Sequence, residues 1–207
     1  RPRERQHLCH NALALDPRLQ EAYFGIGMYH YYADVAPAAA KVLRWLLWLP
    51  GGDKVQGMRE MLRARDSGEL LRDEADYQLH FVYLRYEGRA DLALALLEKL
   101  DARSPNNPLF LRRIADIHSR YLHDPQASAN AWQRLLDRAR AGSVYATRTT
   151  EVRARLGLAS AQAAMNQTDA AAEHLQIVIS MRPTDPIGAL ASAEQQLSVM
   201  RARNSAR

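Results

Sequence analysis

The stretch GRADLALALLEKLDARSPNNP, residues 88–108, decides the fold class of this chain. Ala93, Leu97 and Leu100 follow one another at intervals of four and three residues, which places them on one face of an α-helix. Pro105 comes twelve residues after Ala93 and ends the helical pattern, because proline lacks the backbone N–H that a helix interior needs. The stretch therefore predicts an amphipathic helix followed by a turn.

Two further stretches repeat these offsets of four, seven and twelve residues. The equivalent positions are Ala171, Leu175, Val178 and Pro183 in one stretch and Arg5, Cys9, Ala12 and Pro17 in the other. The pattern resembles the second helix of a tetratricopeptide (TPR) repeat, a helix–turn–helix unit of about 34 residues. The resemblance implies an all-α fold, a right-handed α-solenoid of TPR-like helix pairs that stack on their neighbours.

The helices that would precede these fit the same family more loosely. Tyr23 is followed three and four residues later by Ile26 and Gly27, which is similar to the W-x2-L-G motif of a first TPR helix. Tyr77 occupies the aromatic position of another copy, although Phe81 stands where that copy should carry a small residue. The resemblance therefore extends over most of the chain, with degenerate motifs.

Composition supports the helical prediction and argues against several classes of protein. Apolar residues make up 47% and charged residues 25% of the 207 residues, as in many globular proteins. The formal charge is +5, but the basic residues are spread along the chain among 23 acidic ones. This dispersal argues against a nucleic-acid-binding face, which needs clustered basic residues. The first residues, RPRERQ, do not resemble a signal peptide, and the compartment stays open between the cytoplasm and export to a bacterial envelope.

The spacing of the repeats predicts an insertion. Gly27 and Gly57 occupy positions that lie about twelve residues apart in the family and thirty apart here. The inserted segment, YADVAPAAAKVLRWLLWLPGGD at residues 32–53, is poor in charge and resembles the insertion of a subgroup of bacterial TPR proteins. The predicted boundaries are an inserted helix at about 36–50, a linker at about 141–150, a single repeat domain over 1–200 and a frayed tail at 201–207.

The inserted helix, Ala38 to Leu49, would be about 18 Å long at 1.5 Å per residue, which is too short to cross a hydrocarbon core of about 30 Å. Because apolar residues occur on nearly all of its sides, we expect it to be buried as a wedge between repeats. Two alternatives stay open, and both use Trp45 and Trp48. In one the helix binds a partner or a second copy of the chain, and in the other it docks on a membrane surface.

Residues late in the first helices, together with Arg113 and Arg153 earlier on the same side, predict a binding groove. The TPR resemblance implies that these helices line the concave face where peptides bind. The predicted partner-binding residues are Tyr31, Tyr32, Arg85, Tyr86, Arg113, Arg120, Tyr121 and Arg153. Arg and Tyr combine planar hydrogen bonding with amphipathic contact area and are frequent at interfaces. This composition favours an acidic or extended peptide. The alternative is that the tyrosines pack between helices while the arginines are solvated.

The sequence offers no strong pattern for catalysis, a metal or a cofactor. His7 and His10 flank Cys9, but the HExxH and CxxC spacings are absent, and Cys9 fits a buried apolar position. We therefore expect a non-enzymatic interaction scaffold that binds a protein or peptide in its groove, with no cofactor and no metal. The alternative is a TPR subunit that self-assembles or docks on a membrane through the inserted helix.

Overall fold

The computed structural model describes residues 11, 14–16, 19–46, 51–68 and 70–205. Within this part of the chain every regular element is an α-helix and no strand occurs. The all-α prediction is therefore confirmed. The chain divides into two compact units, Arg1–Arg89 and Ala90–Arg207. The expectation of one repeat domain over residues 1–200 stays a prediction.

The first unit contains four of the described helices and the second contains six. In the first unit they are α1 (Glu21–Val35), α2 (Ala38–Leu46), α3 (Lys54–Ser67) and α4 (Arg72–Arg85). In the second unit they are α5 (Ala90–Arg103), α6 (Pro108–Arg120), α7 (Pro125–Arg140), α8 (Thr147–Ala164), α9 (Thr168–Met181) and α10 (Ala189–Ser205).

In the first unit α1 packs against α3 rather than against α2, which precedes α3 in the chain. The two helices meet at a pair of glycines, where a Cβ on Gly27 would lie 2.7 Å from the carbonyl oxygen of Gly57. A Cβ on Gly57 would lie 2.6 Å from the carbonyl oxygen of Gly27. In the chain α2 comes between α1 and α3, and these two helices pack directly on each other. This is the position that the predicted insertion requires.

Helix α2 begins at Ala38, as predicted, and is described as far as Leu46. The expected burial of this helix is wrong for its described side chains, since Val42 is 65% exposed and Leu46 is 64% exposed. The physical reason is that α1 and α3 cover each other directly at Gly27 and Gly57, so this pair of helices does not need α2 to complete its core. Residues 47–50, and with them the predicted end of the helix and Trp48, lie outside the described residues.

Helix α3 begins at a side-chain cap that the insertion supplies. Asp53 accepts hydrogen bonds from the backbone N–H groups of Val55 and Gln56, both at 2.9 Å. The carboxylate of Asp34, at the end of α1, accepts a third bond from the backbone N–H of Lys54 at 3.0 Å. Aspartate at this position satisfies N–H groups that have no partner inside the helix. Two carboxylates therefore connect the insertion to the start of α3.

In the second unit each helix packs against the next one in the chain, from α5 to α10. Second neighbours also meet, since α6 contacts α8 and α8 contacts α10. The apolar faces predicted from the repeated spacing form the core. The side chains of Ala93, Leu97, Leu100, Ala171, Leu175 and Val178 are all at most 2% exposed.

The observed helix ends differ from the predicted boundaries at two places. Residues 141–146 connect α7 to α8, whereas residues 147–150 of the predicted linker already form the first turn of α8. The last helix begins at Ala189 and continues to Ser205. It therefore includes residues 201–205 of the segment predicted to fray. Residues 206–207 lie outside the described part.

Candidate binding site

The eight residues predicted to line the groove fall into two environments, one in each compact unit. The first unit contains Tyr31, Tyr32, Arg85 and Tyr86, and the second contains Arg113, Arg120, Tyr121 and Arg153. Each environment has its own packing and its own pattern of charge.

In the first unit three tyrosines form a compact aromatic cluster. Tyr31 is fully buried, and its ring centroid lies 5.6 Å from that of Tyr32 and 5.9 Å from that of Tyr86. The rings of Tyr32 and Tyr86 are 5.6 Å apart and inclined at 74°. These are edge-to-face contacts, which aromatic rings prefer because of their quadrupoles. The interpretation that the tyrosines pack between helices stays a prediction: Tyr31 is buried, whereas Tyr86 keeps 46% of its surface exposed.

Glu87 connects this cluster to the start of α3. The Tyr31 hydroxyl donates a hydrogen bond to the Glu87 carboxylate, and the ammonium of Lys54 lies 3.1 Å from the same carboxylate. Burial, followed by the bond to Glu87, raises the pKa of Tyr31 far above its ordinary value. The hydrogen bond from Tyr31, assisted by Lys54, lowers the pKa of Glu87. Tyr31 is therefore a neutral, anchored residue whose main role is structural.

Tyr32 and Tyr86 form the part of the cluster that faces solvent, and the exposed Arg85 precedes Tyr86 in the chain. Burial and the neighbouring Tyr86 raise the pKa of Tyr32, while the charge of Arg85 lowers it. The guanidinium of Arg85 lies 5.8 Å from the centroid of the Phe81 ring, within reach of a cation–π contact. This surface is mixed in character, because it combines aromatic rings with a cation.

In the second unit a cavity of about 380 Å³ opens between α6, α7 and α8. We call it the arginine pocket. Its lining residues are Arg112, Asp116, Ser119, Arg120, Ser128, Trp132, Arg153, Leu156, Gly157, Ser160 and Ala161. Two of the predicted groove residues, Arg120 and Arg153, are therefore brought to one concave site. Arg113 and Tyr121 do not line it.

Helical spacing explains how the chain forms the two walls of the arginine pocket. Arg112, Asp116 and Ser119 follow at intervals of four and three residues, so they share one face of α6. On α8, Arg153 and Gly157 are four residues apart and share the facing wall. Because α6 and α8 are second neighbours that contact each other, these faces enclose a space above α7.

The floor of the arginine pocket depends on a glycine. A Cβ on Gly157 would lie 2.6 Å from the indole nitrogen of Trp132 and still closer to other atoms of the ring. The indole therefore lies directly on the backbone of α8, at a distance that only glycine permits. Trp132 is only partly buried, so the large ring contributes surface to the pocket while it joins α7 to α8.

Two arginines of the arginine pocket differ from nearby arginines in their lack of an ion-pair partner among the described residues. Arg134 and Arg138 approach the buried carboxylate of Asp101 at 3.0 Å and 2.6 Å. By contrast, within the described part of the chain neither Arg120 nor Arg153 has an ion-pair partner within 4.0 Å. Asp101 therefore compensates charge on Arg134 and Arg138 inside the unit. Arg120 and Arg153 keep their positive charge available to a ligand.

Three residues of the two environments, Arg112, Asp116 and Glu87, are not among the residues predicted from the sequence. The helical spacing of Arg112 and Asp116 could have placed them in the site, because both lie on the α6 face that ends at Ser119. Glu87 carries no such signal, because it contacts Tyr31 across 56 residues from a position just after α4. Its role depends on how the helices pack, which local spacing does not encode.

The described part of the chain also lacks a metal-binding cluster and a membrane-spanning helix. Among the described residues no group of three or more His, Cys, Asp and Glu side chains could hold a metal ion. No described helix is both long enough and apolar enough to cross a membrane. Comparison of the chain with protein-family models, with curated proteins and with solved structures found no match.

Proposed function

We propose that this protein is a non-enzymatic interaction module that binds an anionic segment of a partner protein in the arginine pocket. The observation that carries the proposal is the convergence of Arg120 and Arg153, neither with an ion-pair partner among the described residues, on one cavity. A guanidinium offers a planar set of donors that matches carboxylate and phosphate oxygens. An anionic side chain that enters the pocket would supply the counter-charge that these two arginines lack.

The size and lining of the pocket support a peptide segment as the ligand. Its volume of about 380 Å³ is near the lower end for ligand pockets, so it suits one or two side chains rather than a large cofactor. Trp132, Leu156 and Ala161 add apolar surface beside the charged groups. A segment that places an anionic side chain next to an apolar one matches this combination. Aromatic residues and arginine are also the residue types that contribute most to binding energy at protein interfaces.

We also propose that the helices of the second unit form TPR-like pairs of a right-handed α-solenoid. The packing of each helix on the next, together with the contacts of α6 with α8 and of α8 with α10, supports this architecture. In such an array the first helices of successive pairs face the ligand. That arrangement would explain why the arginines of α6 and α8 meet at one cavity.

The test is a charge reversal with a matched control. Fluorescently labelled degenerate peptides with a central run of three glutamates serve as the probe, and the same peptides with glutamines serve as the neutral reference. We expect the glutamate peptides to bind the wild-type chain, and Arg120→Glu/Arg153→Glu to abolish that binding. The control variant Lys99→Glu/Arg140→Glu makes the same change of charge at two exposed positions of the same unit that do not line the pocket. It should bind like the wild type.

The control separates a specific site from general attraction between charges. If both double variants lose binding equally, the net charge of the chain explains the effect and the pocket is not the site. If neither loses binding, the proposal is wrong. Circular dichroism of each variant shows whether the helices are retained.

One observation favours a second candidate function, in which α2 docks on a membrane surface or on a second copy of the chain. Ala38, Val42 and Leu46 are spaced four residues apart on one face of α2, and all three are exposed. Co-sedimentation with anionic vesicles and sedimentation velocity of the chain alone test the two forms of this candidate. Val42→Ser/Leu46→Ser should weaken either association, and unchanged behaviour of the variant in both assays would exclude α2 as the contact.

A further inference from the structure

We infer that the arginine pocket prefers a phosphorylated side chain to a carboxylate. This inference rests on the proposed function, because it specifies which anionic group of the partner enters the pocket. It is carried by the number and kind of hydrogen-bond donors that line the cavity.

Four lining groups can donate hydrogen bonds without giving up a partner in the described part of the chain. They are the guanidinium groups of Arg120 and Arg153, the hydroxyl of Ser119 and the indole N–H of Trp132. Two of these donors are charged and two are neutral. Arginine with hydroxyl and N–H donors is a donor set suited to phosphate oxygens.

A carboxylate has too few oxygens to use this set fully. It presents two oxygens and one negative charge, whereas a phosphate monoester presents three terminal oxygens and about −1.5 to −2 charges at neutral pH. A phosphate can therefore accept from both guanidinium groups and still have an oxygen for the neutral donors. A carboxylate that is held by both arginines has less capacity left for Ser119 and Trp132.

The test compares three pools of labelled peptides with identical degenerate flanks and a central phosphoserine, glutamate or serine. Binding to the full chain is measured by fluorescence anisotropy. We expect the phosphoserine pool to bind about tenfold more tightly than the glutamate pool. That ratio corresponds to about 1.4 kcal/mol, or roughly one additional charge-assisted hydrogen bond. The serine pool should not bind measurably.

Variants of the two neutral donors distinguish the phosphate from the carboxylate. Ser119→Ala and Trp132→Phe each remove a neutral donor and leave the arginines intact, and phenylalanine keeps an aromatic ring against Gly157. We expect both variants to weaken binding of the phosphoserine pool by a larger factor than binding of the glutamate pool. Equal weakening of both pools would mean that these groups support the pocket without reading the phosphate, which overturns the inference.

The outcomes separate this inference from the function on which it rests. If the glutamate and phosphoserine pools bind equally and Arg120→Glu/Arg153→Glu abolishes both, the proposed function stands and the phosphate preference is wrong. If no pool binds, both are wrong. Displacement of the phosphopeptide by an equal concentration of inorganic phosphate would identify a free ion as the ligand and overturn the inference. Tight binding of a single-stranded oligonucleotide with a steep salt dependence would assign the pocket to nucleic acid and overturn it as well.

Discussion

Gly27 and Gly57 lie against each other where α1 crosses α3, and a Cβ on the first would come within 2.7 Å of the carbonyl oxygen of the second. The two atoms nearest to each added Cβ are backbone atoms, which cannot move aside without shifting a whole helix. This contact has two consequences. It joins helices that are separated in the chain by the inserted segment, and it leaves α2 no room to enter the space between them.

We predict that Gly27→Ala destabilises the first unit. Alanine has the higher helix propensity by about 1 kcal/mol, but overpacking a close contact costs about 1–3 kcal/mol and here the neighbours are backbone atoms. Backbone neighbours place the overpacking cost in the upper part of this range, about 2–3 kcal/mol, so we expect a net loss of about 1–2 kcal/mol in the free energy of opening. The measurement is hydrogen exchange of the α1 and α3 amides, which reports on this unit alone.

Gly51→Ala is the matched control for this substitution. Gly51 is exposed, and a Cβ there would meet nothing within 4 Å. Its variant should exchange like the wild type. If Gly27→Ala and Gly51→Ala behave alike, the close packing of α1 on α3 is not what holds the unit together.

The bond between Tyr31 and Glu87 predicts a loss of stability at alkaline pH. The pKa of Tyr31 is raised in the folded chain by burial and by the bond to Glu87, and an unfolded tyrosine titrates at about 10. The stabilisation that comes from a neutral Tyr31 is therefore complete below about pH 10 and is lost as the pH rises above it. The loss from this group is at most about 1.4 kcal/mol for each pH unit.

Tyr31→Phe isolates this group from the other tyrosines. Phenylalanine keeps the edge-to-face packing and cannot ionise, so the wild type should lose more stability than the variant between about pH 10 and 11. Urea denaturation at several pH values, followed by near-ultraviolet circular dichroism, measures the difference. Parallel curves for the two proteins would show that Tyr31 does not ionise on unfolding in this range, contrary to the expectation.

Local spacing predicted those features of the fold that depend on a helical period. The face that carries Ala93, Leu97 and Leu100 is buried as expected, because a helix with one apolar face must cover it against a neighbour. The burial of α2 could not be predicted in this way. Whether an apolar helix is covered depends on the space that other helices leave, and here Gly27 and Gly57 close that space.

The candidate site was predictable to a similar extent. Arg120 and Arg153 were placed on the ligand-facing side from their positions in successive helix pairs, and both line one cavity. Arg113 was expected beside them and does not line it, although it lies seven residues before Arg120 and therefore on nearly the same side of α6. The aromatic floor was not predicted at all, since it depends on the contact of Trp132 with Gly157 across two helices.

We predict that Gly157→Ala displaces the Trp132 ring from α8. The added methyl group would overlap the indole, so we expect a loss of about 1–3 kcal/mol in stability and a red shift of Trp132 emission. The emission is measured in a Trp45→Phe/Trp48→Phe background, in which Trp132 is the single tryptophan of the chain.

A double-mutant cycle shows whether the two residues act through each other. Trp132→Ala removes the ring that the methyl group would strike, so Gly157→Ala should cost less in that background than in the wild type. Coupling of about 1 kcal/mol or more supports direct contact. If the two losses add fully, Gly157 is required for some reason other than the indole.

Asp116 is the one lining residue of the arginine pocket that opposes an anionic ligand. It shares the α6 face with Arg112 and Ser119, and it lies four residues before Arg120 on the helix. A negative charge at this position repels an incoming anion and reduces the positive potential of the cavity. We therefore predict that Asp116→Asn, which keeps the shape of the side chain, tightens binding of the glutamate and phosphoserine peptides by about threefold to tenfold.

The matched control is Asp137→Asn, which removes the same charge from an exposed position on α7 that does not line the pocket. It should change the affinity by much less, because the charge lies farther from the ligand and is screened by salt. The difference between the two variants should shrink as the salt concentration rises from low to physiological values. A gain of affinity that is the same for both variants would indicate that the peptides respond to the overall charge. No gain with Asp116→Asn would mean that the bound anion lies away from this carboxylate, on the side of the pocket formed by α8.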